Sequence, residues 1–266
     1  MGGEWAVRTL LERIVEARRE DVAAMKRRLP REAVEAEAAG AAPARRFREA
    51  VLAGKPVGLI AEVKRASPSR GVLRGDFDVE GIARGYATGG AAALSVLTEG
   101  RFFQGAPEYV AMAKGACPLP VLRKDFIVDE YQVVESRALG ADCVLLIATL
   151  LEESRLGDFC RLALSLGMET LVEIHSEREL EKISGVPCDI IGVNNRDLTT
   201  MEVDIRTSVR LAGLLRGAEC RVSESGIGAP EDVRVMKEAG YHGVLVGEAL
   251  MTAPDPGRKA RELLGA

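Results

Sequence analysis

At 266 residues, with 47% hydrophobic content, the chain can bury one large α/β core. Its 36 basic and 40 acidic residues leave a formal charge of −4, so no global field draws it to nucleic acid or to an anionic membrane, and any anion must be held locally. Five cysteines without a CxxC pair (Cys117, Cys143, Cys160, Cys188 and Cys220) read as reduced core residues of a cytoplasmic protein, and only two histidines, His175 and His242, speak against a metal centre.

Residues 4 to 50 are rich in Ala, Glu and Arg, set Leu10, Ile14 and Val15 at helical spacing, and break at Pro30 and Pro43. This predicts a helical extension over residues 1–48 with one apolar face, ahead of a second unit at 49–266. Acids and arginines interrupt "MGGEWAVRTLLERIVEARRE" where a signal peptide needs an apolar core, and no apolar run approaches the roughly 20 residues of a membrane span.

From residue 57 short apolar runs alternate with amphipathic stretches. The runs are "VGLIAEVK" (57–64), "AALSVLTE" (92–99), "LPVLRKDF" (119–126), "DCVLLIAT" (142–149), "ETLVEIH" (169–175), "IIGVNN" (190–195), "CRVSESG" (220–226) and "GVLVGEAL" (243–250). Between them lie helical patterns such as "DVEGIARGYATGG", "DEYQVVESRALG", "EESRLGDFCRLALSLG", "SERELEKISG" and "APEDVRVMKEAGY", several closing on Gly as a helix C-terminus does. Strand alternating with helix implies βαβ units and a parallel sheet. Eight such repeats in this length predict a (β/α)8 TIM barrel. The alternative, a doubly wound sheet, calls for G-x-G-x-x-G after its first strand, where "KRASPSRG" stands.

The first run carries a puzzle. Glu62 and Lys64 share a strand face with Ile60, although charged side chains are seldom buried unpaired. One reading is a solvated ion pair at a strand end. A barrel suggests another, because its active site gathers at the C-terminal ends of the strands. There the runs supply Glu62 and Lys64, Lys124, Glu173, Asn194 and Asn195, and Glu224 and Ser225. Carboxylates and ammoniums around one mouth shift each other's pKa values and suit proton transfer. Gly226 and Gly247, at the ends of the seventh and eighth runs, allow close backbone approach where many such barrels bind phosphate, which predicts a phosphorylated small-molecule substrate.

The blocks "IAEVKRASPSRG", "LSVLTEGRFFQG", "VLRKDFIVDEYQV", "LVEIH", "IGVNNRDL" and "SESGI", in this order and spacing, resemble indole-3-glycerol-phosphate synthase from about residue 5 to the end. The resemblance implies a lyase of tryptophan biosynthesis that closes 1-(2-carboxyphenylamino)-1-deoxyribulose 5-phosphate to indole-3-glycerol phosphate, releasing carbon dioxide and water. It implies no metal or organic cofactor, and an N-terminal extension that packs on the barrel mouth. It also assigns roles: Lys124 as general acid, Glu173 as base, Lys64 as partner of the substrate carboxylate and a candidate second acid, with Glu62 orienting Lys64 and Asn194 bonding the sugar. Ser67, Arg196, Glu224, Ser225 and the amides near Gly226, Gly247 and Glu248 would bind the substrate's polar groups and phosphate. Phe103 and Phe126 would pack on its aromatic ring, core filling being the rival role for both. A lysine acid works best at neutral pH with a lowered pKa, which burial or a second lysine would provide. His175 shares a face with Glu173 but reads as a rim histidine. A phosphosugar isomerase and a non-catalytic phosphate-binding barrel remain alternatives, and the extension is compatible with a monomer or a homodimer.

Overall fold

The computed structural model describes residues 9–188, 190–215 and 217–265; residues 1–8, where the predicted extension begins, lie outside them. All eight apolar runs are strands of one closed parallel barrel. They are β1 (Gly58–Val63), β4 (Ala93–Leu97), β5 (Val121–Lys124), β6 (Cys143–Ile147), β7 (Glu169–Ile174), β8 (Ile190–Asn194), β9 (Cys220–Glu224) and β10 (Gly243–Val246), and β10 closes onto β1 with Gly58 opposite Gly243. A short antiparallel ribbon, β2 (Ala66–Ser67) and β3 (Gly71–Val72), stands in the loop after β1.

Strand alternation sorts side chains into two cores. Ile60, Leu122, Leu145, Leu171, Val222 and Leu245 fill the barrel interior. Leu59, Ala61, Val121, Val144, Val172 and Val244 face the surrounding helices. The same parity carries on to the strand ends. Glu62, Lys124, Glu173, Asn194 and Glu224 therefore continue the inward set above the last apolar layer, where they line one cavity.

The N-terminal segment forms α1 (Leu10–Arg28), α2 (Arg31–Gly40) and α3 (Phe47–Ala53). Thr9 starts α1 with a capping box to Glu12, satisfying amides that would otherwise lack partners, and Pro30 separates α1 from α2. Val22, Val34 and Ala38 pack against Tyr131 and Val134 of the helix Glu130–Ala138. At the opposite end, Phe47 and Val51 of α3 are fully buried and join the interior core, sealing the floor of the barrel. No helix among the described residues is long and apolar enough to cross a membrane.

Candidate active site

The mouth holds a cavity of about 580 Å³. Every residue named from the sequence as catalytic or substrate-binding lines it: Glu62, Lys64, Ser67, Phe103, Lys124, Phe126, Glu173, Asn194, Arg196, Glu224, Ser225, Gly226, Gly247 and Glu248. The opening puzzle resolves geometrically, since Lys64 Nζ lies 2.6 Å from Glu62 Oε1 and neither side chain is freely solvated. Across the mouth, Lys124 Nζ lies 3.4 Å from Glu173 Oε2 and 3.5 Å from Glu224 Oε2.

The "RKDF" block shows how one strand end serves two layers. Lys124 and Phe126 point into the cavity, whereas Arg123, one residue out of phase, is buried outside it, and Asp125, equally buried, reaches only the cavity wall. Arg123 bonds Glu135, Ser136 and the Gln132 carbonyl. Asp125 accepts two bonds from Arg18 of α1, at 2.8 and 2.7 Å, and one from the backbone N–H of Phe126. α1 is thus locked to the segment that carries Lys124. It also contributes Leu10, Leu11 and Ile14 to the cavity wall; Leu10 and Ile14 belong to the apolar face read from the helical spacing, whereas Val15 of that face does not line the cavity. The wall on the β4 side is positioned by the buried Glu99, whose carboxylate accepts the N–H groups of Arg101, Phe102 and Phe103. Phe103 then meets Phe126 with ring centroids 5.9 Å apart.

Asn195 departs from the expected set. Being out of phase with Asn194, it lies behind the barrel wall, where it bonds Ser208, Ser223 and the Ser225 carbonyl. Asn194 remains at the mouth and accepts the Arg196 N–H, while Arg196 reaches back to the Met201 carbonyl and folds the loop after β8 over the site. Glu248 does not face a bare anion site, because Arg70 of the ribbon loop holds its carboxylate at 2.6 Å.

Two glycines are required by their surroundings. Gly226 has φ of +80°, and a Cβ there would meet Val203 and Ile205. Gly247 has an ordinary φ, but its Cβ would overlap the Glu62 carboxylate and crowd Lys64. Each leaves backbone open to the cavity.

The electrostatics correct one expectation. Burial pulls the pKa of Lys124 down, but the carboxylates of Glu173, Glu224 and Glu62 outweigh it and hold the ammonium well above its ordinary range. Among the groups around Lys124, carboxylates and not a second lysine set its charge. Burial would raise the pKa of Glu173, yet Lys124, His175 and Asn194 hold it well below the usual carboxylate range. Glu224 goes the other way, pushed up to about 8 by burial and then by Glu173, with Lys124 opposing.

That last shift gives a measurable sign. A folded-state pKa raised above its unfolded value makes a stability contribution that is complete below the unfolded value and is lost as pH rises through the folded one. The parent should therefore lose thermal stability relative to Glu224→Gln as pH rises from about 4.5 to about 8, and the difference should level off above that. Parallel melting curves for the two proteins across that range would show that Glu224 is ionised throughout.

The indole-3-glycerol phosphate synthase family model matches residues 11–263. A protein named indole-3-glycerol phosphate synthase from Polaromonas naphthalenivorans (strain CJ2) is 47% identical over 260 residues, covering 96% of this chain and 98% of its own length. One of the same name from Carboxydothermus hydrogenoformans is 47% identical over 262 residues, covering 96% and 99%. Among solved structures, a 3-hexulose-6-phosphate synthase matches with a TM-score of 0.63 at 14% identity over 79% of this chain and 99% of its own, a likeness of fold alone.

Proposed function

The chain belongs to the indole-3-glycerol phosphate synthase family, and on that premise we propose how its own residues carry the reaction. The activity is that of a carbon–carbon lyase of tryptophan biosynthesis acting on a phosphorylated small molecule. The substrate, 1-(2-carboxyphenylamino)-1-deoxyribulose 5-phosphate, must close a ring at its ribulose carbonyl, lose its ring carboxylate as carbon dioxide, and lose a hydroxyl as water.

The observation that carries the assignment is two lysines, Lys64 and Lys124, ion-paired with Glu62, Glu173 and Glu224 in one cavity with a paired aromatic wall. Lys124 donates to the carbonyl oxygen as ring closure builds negative charge on it. An ammonium held charged by its neighbours stays a donor across neutral pH, and the nascent alkoxide is basic enough to take its proton. Lys64, steadied by Glu62, meets the ring carboxylate and serves as second donor when the hydroxyl departs. Glu173, held ionised, removes the proton whose loss restores the aromatic system. Glu224, kept neutral, offers a hydrogen bond where a second carboxylate would repel the substrate's own. Asn194 bonds the sugar oxygens, and the aromatic half lies against Phe103 and Phe126. The phosphate binds among Ser67, Arg196, Ser225 and the amides of Gly226, Gly247 and Glu248. α1 covers the mouth as part of an extension over residues 1–48. All of these groups come from one chain, so a monomer suffices. Five free cysteines fit a cytoplasmic setting.

Pure protein incubated with the substrate should generate indole fluorescence, and inorganic phosphate at constant ionic strength should compete with the substrate. An isomerase would turn over a phosphosugar without an indole signal and would leave one lysine without a task. Absence of fluorescence would overturn the assignment, and absence of competition would remove the phosphate site.

A further inference from the structure

Lys124 is nearly equidistant from two carboxyl groups, at 3.4 Å from Glu173 and 3.5 Å from Glu224. Both carboxyls are buried, so two negative charges beside one ammonium repel strongly, and the cluster favours a single ionised member. Lys124 cannot choose between them. What differs is the second neighbour.

Glu173 Oε1 lies 3.4 Å from His175 Nε2. On the ring's other side, His175 Nδ1 lies 3.3 Å from Glu179 Oε2, on the helix Glu177–Lys182. Glu179 is itself fixed, accepting the His175 backbone N–H and the Thr149 hydroxyl, each at 2.6 Å. Nδ1 hydrogen-bonds Glu179, whereas Nε2 has no hydrogen-bond partner among the described residues, so its contact with Glu173 is one of charge, and a ring set between two carboxylates is favoured as the imidazolium. Asp197, in the loop after β8, adds a third negative charge acting on the ring through space. Glu224 has no counterpart to this arrangement. Its oxygens lack hydrogen-bond partners among the described residues. Besides Glu173 and Lys124, the charges acting on it are Glu62 and His175, and the ion-pair contact of His175 is with Glu173.

Resting on the reading of Glu173 as the base, we propose that His175 is a positioning residue: as an imidazolium bridging Glu179 and Glu173, it assigns the negative charge of the Lys124 cluster to Glu173 and leaves the proton on Glu224. The arrangement gives up some basicity at Glu173 in exchange for a fixed division of labour between two carboxyls that Lys124 alone would leave equivalent. Consistently, Glu173 and Glu179 outweigh burial and raise the His175 pKa to about 10.

The chain has two histidines, so its imidazole NMR spectrum is readily assigned. The His175 ring should stay imidazolium throughout the neutral range, while His242, whose pKa is lowered by burial and by Arg221, should titrate below the ordinary histidine range. A neutral His175 in that range would overturn the proposal without any substitution being made. In the pH profile of kcat/KM, His175→Gln should move the acid limb upward by about one pH unit or more, the scale of a lost neighbouring charge. His175→Lys, which returns a cation, should bring the limb back. An unmoved limb in His175→Gln, or equal shifts in both variants, would count against charge assignment and leave a purely structural role. Glu173→Gln separates the two readings: near-parental kcat in that variant would remove the base assignment itself, whereas a large loss alongside an unmoved His175→Gln limb would remove only the role of His175.

Discussion

Replacing Lys124 with Met is expected to lower kcat by about 10²- to 10⁴-fold while KM changes only a few-fold. The unbranched stem still fills the mouth, so on the proposed assignment substrate is held by its phosphate and aromatic ends while the donor to the carbonyl oxygen is gone. Removing the ammonium also leaves Glu173 with His175 as its remaining cation at close range, so the residual activity should shift to higher pH than in the parent. Lys64→Met should behave differently. Its partner in the substrate is a carboxylate already present before any bond changes, so KM should rise together with the fall in kcat. Near-parental turnover in Lys124→Met alongside abolished turnover in Lys64→Met would mean that the two roles are exchanged.

The second large effect is expected away from the reacting atoms. Arg18→Met should cost roughly 3–5 kcal/mol of stability, the usual consequence of breaking a buried ion pair by removing one partner. The value should fall toward the lower end, because Asp125 keeps Arg123 at 3.2 Å and the Thr98 hydroxyl. The same change frees α1 from the strand end that carries Lys124, so KM should rise at temperatures where the barrel remains folded. Chemical denaturation combined with steady-state kinetics would check both parts. A variant with parental stability and parental KM would show that the α1 to Asp125 contact contributes nothing.

Much of this site is legible in the sequence because a strand repeats every two residues. Once β1 and β5 are recognised, parity alone puts Glu62 with Lys64 and Lys124 with Phe126 on the cavity side. Parity also assigns Asn195 to the opposite side from Asn194, a distinction lost when both are grouped at one strand end. What the sequence does not disclose is partnership across the chain. Arg18 and Asp125 are 107 residues apart, and nothing local to either identifies the other. The reversed pKa of Lys124 has the same origin, since counting lysines near a strand end does not reveal that carboxylates from β7 and β9 converge on this one. The ribbon of β2 and β3 escaped for a different reason: two-residue strands are too short to show a period.

The floor formed by Phe47 and Val51 has a consequence for traffic. With the interior packed below the charged ring, the described residues leave the mouth as the way in and out, so everything formed inside leaves by the way the substrate came in. Carbon dioxide and water, released beneath a much larger product still tethered by its phosphate, must slip past it or wait for it to go. Uncharged, small and weakly hydrated, carbon dioxide suits the first route along the apolar wall of Leu10, Leu11 and Ile14, while the larger indole-bearing product must pass between α1 and the β1 loop, both of which line the cavity. The order of exit is thereby written into a barrel whose floor is packed.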